Sequence, residues 1–372
     1  MLYLDHNATT NVHLKVKDLV QDLLKGTHNP SSVHTQGRVA RSIVEVARNQ
    51  VMTSVGGDIY SKEYQVIFTS SGTETNNLLM KNYYDGEIFI SNIEHLSIFD
   101  HLKYKDDIKI IKVNSDGIVD SCHLEALLSA SNSNKKLVSV MLANNETGVI
   151  QNVKELVKIA KKYGADFHSD CVQAVGKIPF NIKELGVDFA TISSHKLGGM
   201  QGSSALVAKS GYNLKAMIIG GGQERNIRSG TENVLSIASF GMASSIASQE
   251  INDRYYQMKK LQNYLEQHLS KYKNVKILSQ NVERLPNTTL IVVPQTYAQT
   301  KLIAFDLRNI ALSSGSACSS GKIGKSHVLS AMGFNGNEAQ SAIRISFSYE
   351  QTINDVIIFI KAFEEIYSQE LI

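Results

Sequence analysis

The stretch VDFATISSHKLGG, residues 187–199, decides how this chain is interpreted. Its apolar half has the composition of a buried strand, and the polar run that follows ends in Lys196. Burial lowers the pKa of a lysine and makes its amine nucleophilic, as a lysine that forms a Schiff base with an aldehyde cofactor requires. A lone lysine more often marks the solvated end of a strand. The rest of the sequence decides between these two interpretations.

Length and composition describe an ordinary globular chain. At about 150 residues per domain, 372 residues predict two domains. The net charge of +3 comes from basic and acidic residues that are interleaved, which does not indicate a nucleic-acid-binding surface. No apolar run is long enough to span a bilayer, and the opening MLYLDHNATT has neither a basic leader nor an extended apolar segment. We therefore expect a cytoplasmic protein that binds neither nucleic acid nor membrane.

Short apolar segments alternate with amphipathic helices through most of the chain. The first helix is predicted from the apolar stripe of Leu14, Leu19, Leu23 and Leu24, with Gly26 as its end. The alternation that follows predicts an α/β fold with a mostly parallel sheet covered by helices on both faces.

After the segment GTENVLSIASFGMASSIASQE, the pattern changes to a long polar helix followed by short strands and helices. We predict a large domain at residues 1–251 and a smaller α+β domain at residues 252–372. The connection is expected to be a continuous helix because no flexible, Pro-rich linker is present. The N-terminal segment is expected to pack with the small domain.

Polar residues follow five of the predicted strands at the point where each strand ends. Ligands of parallel sheets bind at the carboxyl ends of the strands, so these residues are candidates for one site. Each has a structural alternative, since Ser and Thr before Glu also cap helices and a lone histidine is usually structural. The agreement of five strand ends is far stronger evidence than any one of them. In chain order they are Ser71, Gly72 and Thr73; His95; Asn145; Asp170 and Gln173; and His195 and Lys196.

The chemical types at these positions fit one cofactor, pyridoxal phosphate. It needs a lysine for its aldehyde, a carboxylate for its pyridine nitrogen, a donor for its phenolate oxygen and a cradle for its phosphate. Lys196, Asp170, Gln173 and the run Ser71–Thr73 supply these groups in turn. The run Ser71–Thr73 can hold a phosphate because a helix begins there with unbonded N–H groups.

The motifs also carry a family resemblance. SGTETNN, EH, NNETG, D..Q, SSHKLGG, RSGTEN and SSGSAC occur in order, after YLDHNATT and HNPSSVHTQGRVAR near the start. This set resembles the cysteine desulfurases of the NifS/IscS-like group, in the class V aminotransferase branch of the fold-type I pyridoxal phosphate enzymes. The likeness covers essentially the whole chain and implies the fold-type I architecture, a large cofactor-binding domain with a smaller C-terminal domain.

The resemblance implies a role for each strand-end residue around the cofactor. Lys196 carries the cofactor, Asp170 pairs with its pyridine nitrogen, Gln173 bonds its phenolate oxygen, His95 stacks over its ring and moves protons, and Gly72, Thr73, Ser193 and His195 surround its phosphate. Asn145 lies near the phenolate and the substrate carboxylate. Thr231, in RSGTEN, reaches the phosphate of a neighbouring subunit, which implies a homodimer.

The three cysteines, Cys122, Cys171 and Cys318, are widely spaced and form no CxxC pair, so they indicate neither disulfides nor a metal site. Cys318 lies in SSGSACSSGKIGKSH, which is too polar for a core, and is a candidate nucleophile because thiolate attack needs access and mobility. The resemblance makes it the cysteine that accepts sulfur, and it could bridge transiently to a cluster on a partner. We interpret Cys122 and Cys171 as packing residues.

Arg344, in the strand AIRIS, is a candidate for binding the substrate carboxylate, which suits a planar guanidinium. A structural ion pair is the alternative, but no carboxylate lies nearby in sequence. The resemblance also assigns substrate binding to Arg344.

The function that follows is a pyridoxal-phosphate-dependent cysteine desulfurase. It would convert L-cysteine to L-alanine, form a persulfide on Cys318 and supply sulfur to an iron–sulfur scaffold or another acceptor protein. A selenocysteine lyase and a class V aminotransferase stay open, and an aminotransferase would not need Cys318. A non-catalytic assembly protein is disfavoured because Lys196 and Asp170 are present. Met200 and Ser203 depart from the family pattern after the lysine.

Overall fold

The computed structural model describes residues 1–314, 326–334 and 336–371. Strands and helices alternate over most of this length. The strands are β1 (Leu2–Tyr3), β2 (Tyr64–Thr69), β3 (Glu87–Ser91), β4 (Lys109–Ile111), β5 (Lys136–Ser139), β6 (Asp166–Asp170), β7 (Phe189–Ser193), β8 (Ser204–Lys209), β9 (Lys276–Ile277), β10 (Thr288–Val292), β11 (Ile310–Ala311), β12 (Ser313–Ser314) and β13 (Ala342–Ser346). The α-helices are α1 (Leu14–Leu23), α2 (Thr35–Ser54), α3 (Gly72–Asn82), α4 (Leu96–Phe99), α5 (Ser121–Ser129), α6 (Val153–Lys162), α7 (Ile182–Leu185), α8 (Val234–Gln249), α9 (Ile251–Leu269), α10 (Ala298–Asp306), α11 (His327–Ala331), α12 (Gly336–Gln340) and α13 (Ile353–Ile366).

The largest sheet has the strand order β2-β8-β7-β6-β5-β3-β4. Strand β8 is antiparallel to both of its neighbours, and the other strands all run in one direction. The predicted α/β fold with a mostly parallel sheet is therefore confirmed. Because β8 follows the lysine turn directly, it returns antiparallel beside β7 without a crossover helix. Strand β8 was not predicted from the sequence.

Helices cover both faces of this sheet, and alternate side chains of one strand pack in different cores on the two faces. Ala190 and Ile192 of β7 pack in a core with residues of α2, α6 and α8, such as Val44. Phe189, whose side chain points to the opposite face, packs in a second core with Leu78 of α3. Side chains alternate along a strand, so a strand buried on both faces has a continuous apolar composition. This explains the run VDFATIS.

A second sheet, of order β12-β13-β10-β9, is antiparallel and packs against α9 and α13. The N-terminal strand β1 pairs in parallel with β11, and Leu4 belongs to the core of this part of the molecule. Helices α8 and α9 meet at Glu250. The division of the chain into domains at residue 251 stays a prediction.

Helix α1 lies where its apolar stripe predicted a helix, but part of the stripe faces outward. The side chains of Leu14 and Leu24 are 69% and 65% exposed, whereas Val16 is fully buried. Val16 and the partly buried Val20 pack on the main core instead. Within the described residues, no helix is both long enough and apolar enough to cross a membrane.

Candidate active site

A cavity of about 200 Å³ opens at the carboxyl edge of the large sheet. It brings together the predicted residues that follow β2, β3, β5, β6 and β7, because these five strands run in the same direction. Its lining consists of Asn7, Ser71, Gly72, Thr73, Asn76, His95, Ser97, Met141, Ala143, Asn145, Asp170, Val172, Gln173, Ser193, His195 and Lys196. A larger groove of about 1170 Å³, lined in part by Tyr255 and Tyr256, contains none of the predicted site residues.

Lys196 lies in a 3₁₀ turn, Ser194–Lys196, that follows β7 directly. Two glycines make this turn possible. Gly198 has a φ of +103°, and a Cβ on Gly199 would lie 2.1 Å from the Ser194 hydroxyl oxygen. The half-buried Lys196 ammonium donates to the main-chain carbonyl oxygens of Asn7, at 2.5 Å, and Ala8, at 2.6 Å. The lysine is therefore held by the N-terminal chain.

The Asp170 carboxylate is buried and accepts hydrogen bonds at both oxygens. The Val172 N–H donates to Oδ1 at 3.0 Å, and the Asn76 amide donates to Oδ2 at 2.9 Å. Asn76 lies one helical turn after Gly72 on α3, so the carboxylate is tied to the helix that begins at the cavity. These contacts fix the orientation of an anionic group in the cavity wall.

His95 is oriented by Ser97. Its Nδ1 atom accepts from the Ser97 main-chain N–H at 3.1 Å and lies 2.8 Å from the Ser97 hydroxyl. That hydroxyl also accepts from the Asn76 amide at 2.8 Å, so its own proton points to Nδ1. Burial lowers the pKa of His95, although the nearby Asp170 charge opposes this effect. A neutral His95 therefore carries its ring proton on Nε2.

The Gln173 amide also has defined partners. Its Nε2 donates to the Asn7 carbonyl oxygen at 3.0 Å, and its Oε1 accepts from the Lys177 ammonium at 2.6 Å. One N–H of the Gln173 amide is thus used by the N-terminal chain, and the other is available to a group in the cavity.

The start of α3 forms one end of the cavity. Ser71 is the N-cap, and its hydroxyl accepts from the Glu74 N–H at 3.1 Å, so the capping alternative for this serine is confirmed. The N–H groups of Gly72 and Thr73 belong to the first helical turn and have no acceptor within the helix. A Cβ on Gly72 would meet Val172 at an ordinary 3.5 Å, so protein packing alone does not require glycine there.

Two further predicted residues lie at the end of β7. The Ser193 hydroxyl oxygen accepts from the Ser204 hydroxyl at 2.7 Å, which leaves the Ser193 proton for another acceptor. His195 contacts the Thr9 hydroxyl through Nδ1 at 3.2 Å. Burial, with the positive charges of Lys196 and Lys177, lowers the pKa of His195 to about 4, so its ring is neutral near pH 7.

Arg344 lies in β13, fully buried, and does not line the cavity. Its guanidinium donates to Asp5 at 2.6 Å and to the Asn145 carbonyl oxygen at 2.7 Å. The ion pair that was the structural alternative for Arg344 is therefore present, because β13 lies beside the N-terminal segment and Asp5 comes from the other end of the chain. The substrate-binding role stays a prediction.

Thr231 is exposed and lies outside the cavity of its own chain. It follows Gly230, whose φ is +111°. The segment is tied to the cavity by Arg228, whose Nε donates to Glu74 on α3 at 2.9 Å. A contact with a neighbouring subunit stays a prediction.

The cysteines differ in exposure. Cys171 is buried, as expected of a packing residue, and burial raises the pKa of its thiol to about 12. Cys122 is exposed, so the interpretation of this cysteine as a packing residue is wrong. Its helix, α5, turns Leu124 and Leu128 to the core instead. Cys318 lies outside the described residues. Within those residues, no cluster of potential metal ligands is found.

Several residues of the site were not assigned from the sequence. Asn7, Asn76 and Ser97 line the cavity, and Lys177 contacts Gln173 from behind it. Asn76 had a signal, since it falls one turn after Gly72 on a predicted helix. Asn7 had none of comparable strength, because it comes from the opposite end of the chain.

This chain is similar to known proteins over nearly its whole length. The family model described as Aminotransferase class-V matches residues 2–359. A protein named cysteine desulfurase IscS, from Dictyoglomus turgidum, is 35% identical over 95% of this chain and 91% of its own length. Cysteine desulfurase 2 from Trichormus variabilis is 38% identical over 94% of this chain and 88% of its own. The solved structure of a NifS-like protein from Rickettsia africae is 56% identical, covers 99% of both chains and has a TM-score of 0.95.

Proposed function

We infer that this chain, which belongs to the aminotransferase class-V family, is a pyridoxal-phosphate-dependent cysteine desulfurase. The resemblance derived from its motifs is confirmed by the family match and by relatives that carry this name. The observation that carries the inference to this chain is the cavity itself. Lys196, Asp170 and Gln173, which arrive from two strand ends, line one space of about 200 Å³ together with the start of α3.

The donor set of the cavity fits pyridoxal phosphate. An amine, a carboxylate, an amide N–H and a helix start with unbonded N–H groups match the aldehyde, ring nitrogen, phenolate oxygen and phosphate of the cofactor. Lys196, Asp170 and Gln173 would hold the first three groups, and Gly72 and Thr73 would hold the phosphate with Ser193 and His195. When bound, the cofactor withdraws electrons from the substrate Cα, which makes its proton acidic.

Lys196 is proposed to carry the cofactor and to move a proton at the substrate Cα. To do so, its amine must exchange the carbonyl oxygens of Asn7 and Ala8 for the cofactor. Both are neutral main-chain acceptors.

His95 is proposed to stack on the cofactor ring and to act first as a proton donor. Its Nδ1 is occupied by Ser97, so a neutral ring presents the Nε2 proton. It can accept a proton in a later step only after Nε2 has given one up, or if Ser97 releases Nδ1.

The substrate carboxylate is proposed to bind Arg344 and Asn145. Arg344 is paired with Asp5, so the substrate has to share this guanidinium or displace the aspartate. The Nε atom of Arg344 is buried and has no hydrogen-bond partner among the described residues, which supports a further acceptor at this side chain.

Cys318 is proposed as the nucleophile that removes sulfur. Its thiolate attacks the sulfur of L-cysteine, the carbon–sulfur bond breaks, and the electron pair of that bond returns to carbon, which takes up a proton. One L-cysteine and one enzyme thiol thus become one L-alanine and one enzyme persulfide. Cys171 is a poor alternative, because burial raises the pKa of its thiol and leaves it protonated.

A homodimer, a sulfur-acceptor protein such as an iron–sulfur scaffold, and a cytoplasmic location complete the proposal. The exposed Leu14 of α1 and the exposed Leu24 directly after this helix support a partner surface, since large apolar side chains at these positions gain from being covered. Exposure of Thr231 supports its role toward a neighbouring subunit.

The test is an assay of the purified protein loaded with pyridoxal phosphate. We expect equimolar alanine and sulfide from L-cysteine and a reductant. Cys318→Ser should keep the visible absorption band of the lysine-bound cofactor and lose persulfide and alanine formation. Cys122→Ser, at an exposed cysteine, is the matched control and should keep full activity.

Other outcomes identify the alternatives. Alanine formed from L-selenocysteine without Cys318 would indicate a selenocysteine lyase, and consumption of a keto acid would indicate an aminotransferase. A protein that does not bind pyridoxal phosphate at all would overturn the proposal.

A further inference from the structure

A second lysine, Lys177, is buried directly behind the cavity. Its side chain is 5% exposed, and its ammonium donates to the Gln173 Oε1 at 2.6 Å and to the Asn7 Oδ1 at 2.8 Å. It makes no ion pair with any carboxylate of the described residues, although a buried charge is usually paired. A lysine in such a place needs an explanation other than charge pairing.

The contacts of Lys177 define the orientation of two amides. Gln173 receives the lysine at its oxygen and donates through its nitrogen to the Asn7 carbonyl at 3.0 Å, so reversing the amide would break both bonds. Asn7 receives Lys177 and the Asn287 amide at its oxygen, and donates to the Thr288 hydroxyl at 2.9 Å. Each amide therefore has one favourable orientation.

The consequence lies in the cavity. With its oxygen bound to Lys177, Gln173 presents N–H groups on the other side, and one of them is used by Asn7. Asn7 is also the residue whose carbonyl oxygen holds Lys196. Lys177 thus contacts both Gln173, whose N–H can donate to an anionic oxygen in the cavity, and Asn7, whose carbonyl oxygen accepts from Lys196.

The protonation state of Lys177 does not weaken this role. Burial, with the positive charges of Lys196 and Arg344, lowers the pKa of Lys177 well below its ordinary value. A neutral amine still has two N–H groups, which equals the number of amide oxygens it contacts. The contacts depend on donors, and either state supplies them.

We propose that Lys177 is a positioning residue for the cofactor: it orients the Gln173 amide so that an N–H faces the phenolate oxygen, and it anchors Asn7 beneath Lys196. This inference rests on the proposed pyridoxal phosphate site. Lys177 does not touch the reacting atoms and acts through its two neighbours.

The test is binding of pyridoxal phosphate to the apo protein, followed by absorbance without any substrate. Lys177→Met keeps the volume and removes the donors. We expect the dissociation constant of Lys177→Met for the cofactor to rise about tenfold, which corresponds to the loss of one hydrogen bond to a charged or buried partner. The visible absorption band of the bound cofactor should also shift. Lys177→Gln, which keeps a neutral donor, should recover part of both, and Lys158→Met on the exposed face of α6 should change neither.

A double-mutant cycle distinguishes positioning from general structural support. In a Gln173→Ala background, Lys177→Met should shift the band no further and change the dissociation constant by about twofold at most, because its main target is gone. Additive effects would overturn the proposal, as would a Lys177→Met protein with the wild-type constant and band. If Lys177→Met does not fold, Lys177→Gln is judged by the same criteria. Failure of the wild type to bind the cofactor would instead contradict the proposed function.

Discussion

The carboxyl edge of the large sheet and the N-terminal segment, residues 5–10, build the same cavity in different ways. The sheet edge contributes side chains whose chemical types matter, such as Lys196 and Asp170. The N-terminal segment contributes main-chain carbonyl oxygens, which receive Lys196 and Gln173, and the Asp5 carboxylate, which receives Arg344. The edge supplies reactive groups, and the segment supplies acceptors that hold them.

The difference explains why the sequence predicts site residues at the sheet edge and none in the N-terminal segment. A carboxylate or lysine at a strand end is visible because its type is unusual there. A main-chain carbonyl is present at every residue, so its use leaves no mark in the sequence. The contacts of the N-terminal segment therefore appear only in the folded chain.

The largest expected effect concerns the sheet edge. Lys196→Ala should abolish the visible band of the bound cofactor and reduce alanine formation to background, because no other amine lines the cavity among the described residues. Absorption spectra and alanine quantification measure both. Lys209→Ala, at the exposed end of β8, is the control and should keep both the band and the activity. Retention of the band in Lys196→Ala would contradict the role of Lys196 as the residue that carries the cofactor.

A smaller effect is expected from the N-terminal segment. Asp5→Asn leaves the buried Arg344 without its counter-ion and should lower the free energy of unfolding by roughly 3 kcal/mol. If Arg344 also binds substrate, the KM for L-cysteine should fall, because the guanidinium no longer has a competing carboxylate. Denaturation and steady-state kinetics separate the two effects.

The control is Asp22→Asn, which breaks an exposed pair with Lys25 and should change stability by less than about 1 kcal/mol. A rise in KM in Asp5→Asn would show that the aspartate helps to position Arg344 rather than compete for it.

A pH-dependent effect is expected at Glu94, which lies between β3 and His95. It is fully buried, and burial raises the pKa of its carboxyl to about 8. Between the ordinary pKa and pH 8 the native protein keeps a proton that the unfolded chain has released, so stability falls as the pH rises through this window. Glu94→Gln should remove this contribution, which amounts to at most about 1.4 kcal/mol per pH unit.

Urea denaturation at several pH values between 5 and 8 gives the slope of the free energy of unfolding against pH, which is compared between the wild type and Glu94→Gln. Glu184→Gln, at an exposed glutamate, should leave the slope unchanged. Equal slopes in the wild type and Glu94→Gln would mean that the carboxyl is ionised in the native protein throughout this range.

Part of the candidate site could be predicted from the sequence, and part could not. The strand-end rule identified His95, Asp170 and Gln173 because parallel strands place consecutive ends side by side. It missed Lys177, whose position behind Gln173 follows from the turn after β6. It also missed Asp5 as the partner of Arg344, because 339 residues separate them in sequence.

By itself the sequence determined the α/β class, the strands that end in polar residues, the cofactor chemistry and, through its ordered motifs, the family, because periodicity, residue type and motifs are local properties of the chain. The tertiary structure decided the antiparallel insertion of β8, the pairing of Arg344 with Asp5, the orientation of Gln173 by Lys177 and the use of the Asn7 carbonyl under Lys196. These depend on which distant segments are brought into contact, and main-chain acceptors and buried partners become specific only when the chain is folded.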